Sequence, residues 1–240
     1  MFLKDIKTTD LERNTKYSFL IPIGSTEQHG PFLPFGTDTY WGDEVVKRIE
    51  KNVPNLIVTP TLEFSCSEEH GGFAGTMWLK PETLLNVLHD LCDSLAPYAK
   101  HIILLTSHGG NEDVLKTFLE KNAGAASPKI HRVFLESEEL DRRISDVIGG
   151  PLDDHAGNIE ISMMRKVMPE LVIIPSDDYP KIPIANPWET GRLIDKSKDG
   201  IADNHPQWIV SEDIGNRIIG MIVEKALDDI LQILEPKTFL

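Results

Sequence analysis

Short apolar runs that alternate with amphipathic helical patterns are the feature that most constrains the fold of this chain. Four nearly continuous apolar runs, typical of strands buried on both faces of a sheet, occur at 18–23, 56–62, 101–106 and 130–135. Patterns with helical spacing occur at 43–51, from Pro81 onwards, and at 111–122, 160–168 and 214–234. Because strands separated by helices form βαβ units, the sequence predicts a mostly parallel sheet covered by helices, a three-layer α/β/α sandwich.

No linker or internal repeat divides the 240 residues, so we expect one domain spanning residues 1–240. The segment 174–207, rich in Pro, Asp and Gly, is predicted to form an extended active-site flap or an oligomer contact. The net charge of −14 argues against nucleic acid or an anionic membrane as a partner. Two cysteines and the lack of a leader-like apolar stretch lead us to expect a cytoplasmic protein.

Side chains able to bind metals follow two of the predicted strands. Glu27 and His29 come after the first strand with Asp38 nine residues later, and His108 comes after the third strand. Because ligand sites collect at the carboxyl ends of parallel strands, we expect these residues at one rim. Carboxylates and imidazoles suit Zn, Mn or Fe, and a carboxylate can bridge two metals. The alternatives are polar residues in a surface turn and, for His108, a hydrogen-bonded core histidine.

A second group of candidates lies around His155 and Glu160. Two aspartates precede His155, small residues follow it, and Glu160 stands at the predicted start of a helix. The pattern is typical of a site, but also of a helix N-terminus where acidic residues complement the dipole. The Gly-rich stretch 67–76, with Glu69 and His70, is expected only to line the pocket. Neither a phosphate-binding or dinucleotide glycine loop nor a nucleophile elbow occurs in the sequence.

Four segments, taken together and in order, resemble the motifs of the creatininase family of metal-dependent amidohydrolases. They are IPIGSTEQHGPFLPFGTDT at 21–39, SEEHGGFAGT at 67–76, TSHGGNED at 106–113 and DDHAGNIEISMM at 153–164. Four motifs in the same order are far more specific than any one alone. The C-terminal part echoes the family only loosely, and no substrate-capping role is assigned to Trp41, Trp78, Trp188 or Trp208.

The resemblance implies two divalent metal ions per subunit, Zn, Mn or Fe. The implied ligands are Glu27, Asp38 and His108 for the first ion, and His29, Asp38 and Glu160 for the second, with Asp38 bridging. In creatininase itself the last ligand of the second metal is a glutamate two residues after the second-motif histidine. This chain has Gly110 at that position, so Glu160 is assigned instead.

The resemblance also implies a reaction. A water activated by the two metals would attack the carbonyl of a small amide, cyclic amide or formamide. His155, which with Glu160 forms the candidate catalytic pair, would carry a proton to the leaving nitrogen. Asp154, or its neighbour Asp153, would orient His155.

Other functions within and outside the enzyme class stay open from the sequence. The family includes deformylases of a formylamino-pyrimidine nucleotide and peptide-cleaving maturases. Four basic residues could bind a phosphate, although a solvated loop explains them as well: Lys181, Arg192, Lys196 and Lys198. A metal-binding assembly subunit without catalysis is the alternative from another class. The expected partners are a small amide-type substrate and further copies of the chain, because creatininase is a hexamer.

Overall fold

A parallel sheet forms the centre of the molecule in the computed structural model, which describes residues 1–12, 14–124, 128–135, 137–189 and 191–235. In this part of the chain the sheet has four strands in the order β2-β1-β3-β4, all parallel. Their bounds are Tyr17–Ile23 (β1), Leu56–Val58 (β2), Ala99–Thr106 (β3) and Lys129–Val133 (β4).

Helices cover both faces of this sheet. Their bounds are Thr37–Asn52 (α1), Pro81–Leu95 (α2), Glu112–Asn122 (α3), Glu138–Ile148 (α4), Asn158–Val167 (α5) and Glu212–Leu234 (α6). Alternate strand residues point to opposite sides. Leu20 and Ile103 therefore join the core with α1, α4, α5 and α6. Phe19 and Ile102 join the core with α2 and α3. The predicted three-layer α/β/α sandwich is confirmed.

Three elements differ from the prediction. Helix α1 begins at Thr37 rather than at residue 43, since its first three residues, Thr37 to Thr39, are polar. Strand β2 ends at Val58 rather than at residue 62, because Pro60 has no N–H to donate to the ladder. Leu62 resumes the pairing as a single bridge to Ile23. Helix α4, which Ser137 caps by accepting from the Leu140 N–H, is absent from the prediction.

The predicted flap is an irregular segment packed against the first motif and α5. Its backbone pairs with His155 through Ala202, whose N–H and C=O both bond to that residue at 2.9–3.0 Å. An edge-to-face cluster of Phe32, Tyr179 and Trp208 adds apolar contact beside it. None of the helices described is both long and apolar enough to cross a membrane.

Candidate metal centre

The carboxyl-terminal edge of the sheet carries a buried group of histidines and carboxylates. Glu27 and His29 follow β1, His108 follows β3, Asp38 lies in the first turn of α1 and Glu160 in the first turn of α5. These five residues, the ligand cluster, are all the metal ligands predicted from the sequence. Four are buried, and Glu160 is half-buried. The structure thus brings the five together from four separate parts of the chain.

Close packing between α1 and the strand ends places Asp38 in the cluster. A Cβ on Gly24, just after β1, would lie 2.4 Å from Thr39 Oγ1, so only glycine allows this approach. The Ser107 hydroxyl, just after β3, donates to the backbone carbonyl of Asp38 at 2.8 Å. A carboxylate in the first helical turn is also favoured by the helix dipole.

The cluster divides into two sets of three that share one carboxylate. The ligand atoms of Glu27, Asp38 and His108 lie within 4.8 Å of one another, and so do those of His29, Asp38 and Glu160. A further set of three, Glu27, His29 and His155, meets the same limit. His29 Nε2 lies 3.4 Å from Asp38 Oδ1 and 3.5 Å from Glu160 Oε1. The first two sets correspond to the division that the resemblance implied.

The hydrogen bonding of His29 prepares one nitrogen for a cation. Its Nδ1–H donates to the backbone carbonyl of Glu27 at 3.1 Å, which directs Nε2, the nitrogen that a cation would bind, towards Asp38 and Glu160. Among the described residues, His29 Nε2, Glu27 Oε1 and Asp38 Oδ2 are buried without a hydrogen bond. Each such atom costs about 1–3 kcal/mol. Divalent ions would satisfy all three, so the residues present fit a metal pair.

His108 and Glu27 are oriented by neighbours outside the ligand cluster. His108 Nε2 donates to the Cys66 carbonyl at 2.8 Å, and its Nδ1 lies 3.3 Å from Asp38 Oδ2. The Ser25 hydroxyl donates to Glu27 Oε2 at 2.7 Å. Such partners set the tautomer and orientation of metal-ligating side chains.

Charges in the cluster compensate one another away from water. Burial raises the pKa of Glu27 to about 8. Burial alone would lower the pKa of His29, but Asp38 and Glu160 outweigh it and raise that pKa well above its usual value. Burial would raise the pKa of Asp38, but His29 and His108 lower it. Asp38 and Glu160 therefore stabilise positive charge at this point, as a site for cations requires.

The space beside Gly110 is occupied by another carboxylate. A Cβ on Gly110 would lie 2.1 Å from Glu69 Oε1 and 2.5 Å from the Cys66 carbonyl oxygen. Glu69 Oε1 also lies 3.3 Å from His108 Nε2. Glu69, expected only to line the pocket, thus contacts a member of the ligand cluster. No side chain could enter the cluster from position 110, while Glu160 reaches His29 from α5.

His155 lies against the cluster, oriented by the first motif. Its Nε2 lies 2.8 Å from the Gln28 carbonyl oxygen, and its ring is 4.4 Å from that of His29. Burial, followed by the charge of His29, lowers the pKa of His155 to about 4, so the ring is neutral at pH 7. Asp153 instead accepts the Ile159 N–H at the start of α5. The orienting role predicted for Asp153 or Asp154 therefore belongs to a backbone carbonyl.

An open cleft formed by the irregular segment lies on one side of Trp188, whose ring also contacts His70 and His155. Trp188 packs its ring 5.3 Å from that of His70 and 5.9 Å from that of His155, and remains 41% exposed. The cleft has a volume of about 650 Å³ and is lined by Asp154, Ala185, Asn186, Pro187, Trp188, Glu189 and Asn204. Part of the predicted flap thus forms a wall next to the candidate site.

Two residues near the cluster have roles that sequence reasoning missed or understated. The buried side chain of Gln28 contacts both His70 and His155, although nothing was predicted for it. His70, expected only to line the pocket, has its Nε2 3.1 Å from Glu27 Oε1. The available signal was position, since Gln28 stands between two candidate ligands and a buried amide must find partners.

The side chain of Asn111 links two segments of the chain and does not cap a helix. It stands at the N-cap of α3 without a capping bond from its side chain. Its Oδ1 accepts the Cys66 N–H at 3.0 Å, and its Nδ2 donates to the hydroxyls of Ser65 and Thr106 at 3.1 Å. Asn111 therefore ties the end of β3 to the loop that orients His108.

Comparison with known proteins decides the family. The family model for creatininase, described as creatinine amidohydrolase, matches residues 4–230. The chain belongs to the creatininase family. This membership confirms the resemblance that the four motifs carried. Creatininase with manganese superimposes with a TM-score of 0.76 at 20% identity, covering 98% of this chain and 99% of that one. A crystal structure of creatinine amidohydrolase (creatininase) gives a TM-score of 0.77 at 20% identity, covering 98% of each chain.

Relatives within the family carry several activities. A mycofactocin precursor peptide peptidase of Mycobacterium ulcerans is 32% identical over 65% of this chain and 60% of its own length. A creatinine amidohydrolase of Pseudomonas putida is 24% identical over 64% and 65%. A 3-dehydro-scyllo-inosose hydrolase of Thermotoga maritima is 28% identical over 64% and 51%. The chain thus matches about 60% of the length of the first of these relatives. All three relatives are hydrolases by name, so the creatininase family, to which the chain belongs, is a family of hydrolases.

Proposed function

We propose that this protein is a metal-dependent hydrolase that cleaves an amide-type C–N bond with the help of two divalent ions. The observation that carries the proposal is the pair of three-residue sets that share Asp38. A carboxylate with two oxygens facing two separate sets is the arrangement that a dinuclear site needs. Zn, Mn and Fe all accept these nitrogen and oxygen ligands.

Two bound ions would supply a water of lowered pKa and would polarise the substrate carbonyl. The chain's own residues then handle the proton. His155 is neutral and directs Nε2–H at the Gln28 carbonyl, which leaves Nδ1 as its proton acceptor. A proton held at Nδ1 can pass to the nitrogen that leaves, a role typical of histidine. Burial of the ring keeps bulk water from competing for that proton.

A small uncharged amide, cyclic amide or formamide is the substrate class that we favour. Two of the four basic residues of the irregular segment are engaged elsewhere. Lys181 pairs with Asp203 at 2.5 Å, and Lys196 donates to the carbonyls of residues 186 and 187. The cleft is lined instead by two carboxylates, Asp154 and Glu189. These charges disfavour the phosphate of a formylamino-pyrimidine nucleotide.

A peptide bond is the second candidate. Relatives at 30–32% identity are named precursor peptide peptidases, and the open cleft beside Trp188 has room for a chain end. The C–N bond cleaved in either case is an amide, so the cluster serves both substrates equally. Substrate size and charge in the cleft distinguish them.

The experiment is a hydrolysis assay of the protein loaded with Zn or Mn. The panel contains lactams, formamides, short peptides and a formylamino-pyrimidine nucleotide. Asp38→Asn, which removes the shared carboxylate, is compared with Asp43→Asn, which changes a carboxylate elsewhere on α1. We expect turnover of an amide that Asp38→Asn abolishes and Asp43→Asn retains. Metal binding without turnover of any panel member would favour the non-catalytic assembly subunit.

The assembly state and location expected from the sequence are also proposals. Ile173, Ile174 and Ile182 expose 62%, 55% and 71% of their surface, which supports a contact with further copies of the chain. Light scattering after size exclusion distinguishes a hexamer from a monomer. A cytoplasmic location is compatible with Cys66 and Cys92, which are both buried free thiols.

A further inference from the structure

The side chain of Gln28 connects four parts of the chain beside the ligand cluster. Its Oε1 accepts the Gly30 N–H at 3.0 Å, which fixes the orientation of the amide. Its Nε2 lies 3.0 Å from His70 Nδ1, 2.9 Å from His155 Nε2 and 3.2 Å from the Gly200 carbonyl oxygen. A Cβ on Gly200 would overlap the Gln28 amide. This amide is therefore packed into one position.

The number of hydrogens on the Gln28 amide determines which of its neighbours donate and which accept. The Gln28 amide has two N–H bonds and three neighbours that could accept. His155 Nε2 also lies 2.8 Å from the Gln28 backbone carbonyl, which can only accept. If His155 Nε2 carries a hydrogen, that carbonyl is satisfied, and the two amide hydrogens go to the Gly200 carbonyl and His70 Nδ1. The opposite choice leaves the Gln28 carbonyl without this donor, and the one remaining amide hydrogen cannot serve both the Gly200 carbonyl and His70 Nδ1.

The assignment determines the tautomer of His70. A neutral imidazole that accepts at Nδ1 carries its hydrogen on Nε2. His70 Nε2 lies 3.1 Å from Glu27 Oε1, a buried oxygen without a hydrogen bond in the described part of the chain. The other oxygen of Glu27 accepts the Ser25 hydroxyl at 2.7 Å. In this tautomer the His70 Nε2–H lies next to one oxygen of Glu27, as a close contact rather than a hydrogen bond, while the Ser25 hydroxyl donates to the other.

We infer that Gln28 and His70 are positioning residues for Glu27. The Gln28 amide holds His70 in the tautomer whose Nε2–H faces Glu27 Oε1, and this contact keeps the carboxylate oriented for a metal ion. The part of this inference that concerns metal rests on the proposed function. Partners of this kind change metal affinity about 10- to 100-fold when they are removed.

The first test reads the tautomer of His70 in metal-free protein by ¹⁵N NMR of labelled histidine. We expect hydrogen on Nε2 and none on Nδ1. Gln28→Glu keeps the acceptor for Gly30 but replaces the donor with a carboxylate, so Nδ1 is expected to become protonated. Gln232→Glu, on α6, adds the same charge far from the cluster and should leave His70 unchanged. Hydrogen on Nδ1 in the wild-type protein would overturn the inference.

The second test measures Zn²⁺ affinity by competition with a chromophoric chelator. His70→Leu is expected to weaken binding about 10- to 100-fold. His70→Gln, whose amide can return a donor to Glu27, should bind more tightly than His70→Leu. His131→Leu, which removes a histidine beside His101 near the start of β3, should bind like the wild-type protein. Wild-type affinity in His70→Leu would refute the positioning role.

The two tests separate this inference from the proposed function. Wild-type protein that takes up no Zn or Mn would refute the metal centre, while the tautomer measurement would still decide the link between Gln28 and His70. Normal metal uptake together with an unchanged His70 tautomer in Gln28→Glu would be compatible with the metal centre, but it would refute the positioning of His70 by Gln28.

Discussion

Removal of the shared carboxylate should abolish the whole effect of metal on stability, whereas removal of an unshared ligand should abolish half. Asp38 belongs to both sets of three, and Glu160 belongs to one. Asp38→Asn keeps the shape of the side chain but removes its charge, so neither set retains its ligands. Glu160→Gln leaves the set of Glu27, Asp38 and His108 intact.

The size of the effect follows from ligand linkage. An ion at 100 times its dissociation constant stabilises the folded protein by about 2.7 kcal/mol per site. For a chain of this length, 1 kcal/mol raises the Tm by about 2–4 °C. Each occupied site should therefore raise the Tm by about 5–11 °C, and two sites by about twice that.

Differential scanning calorimetry with and without Zn²⁺ measures these shifts. The wild-type protein should show the two-site increase, Glu160→Gln about half of it, and Asp38→Asn almost none. Asp43→Asn serves as the control on the same helix. A full shift in Asp38→Asn, or an undiminished shift in Glu160→Gln, would refute the shared-carboxylate arrangement.

Three further predictions concern other parts of the molecule. His155→Ala should lower turnover of any substrate while the bound metal, measured by mass spectrometry, stays near the wild-type amount; loss of metal would make His155 a ligand. The pKa of His101 is lowered first by burial and then by the neighbouring His131, and burial also lowers the pKa of His131. The two neutral rings therefore contribute stability above about pH 6.5. This contribution is lost as the pH falls towards their pKa values in the folded protein. Urea unfolding should show that loss diminished in His131→Gln. Gly24→Ala should destabilise the protein by about 1–3 kcal/mol, whereas Gly109→Ala, whose Cβ would meet nothing within 4 Å, should not; equal effects would contradict the packing argument.

The sequence predicted the layers and part of the ligand cluster because both follow from local patterns. Buried parallel strands are continuous in apolar residues, and the polar residues just after them must face one rim. Glu27, His29 and His108 were placed by this rule alone. The two sets that share Asp38 required the resemblance, because strand-end position does not say which side chains face each other.

Other features depended on contacts between distant segments. The start of α1 at Thr37 depends on packing of its first turn against the ends of β1 and β3. The residues of this turn are polar, so the sequence shows no helical spacing of apolar residues there. The partners of Gln28 come from three other segments, and His155 is oriented by a backbone carbonyl that carries no sequence signal. Such tertiary hydrogen bonds cannot be inferred from spacing along one strand.

Anomalous diffraction from crystals grown with Zn²⁺ is the most direct test of the metal centre. Two peaks are expected within the ligand cluster, one near Glu27 and His108 and one near His29 and Glu160, with Asp38 between them. A single peak, or two peaks outside the cluster, would contradict a dinuclear centre built on Asp38.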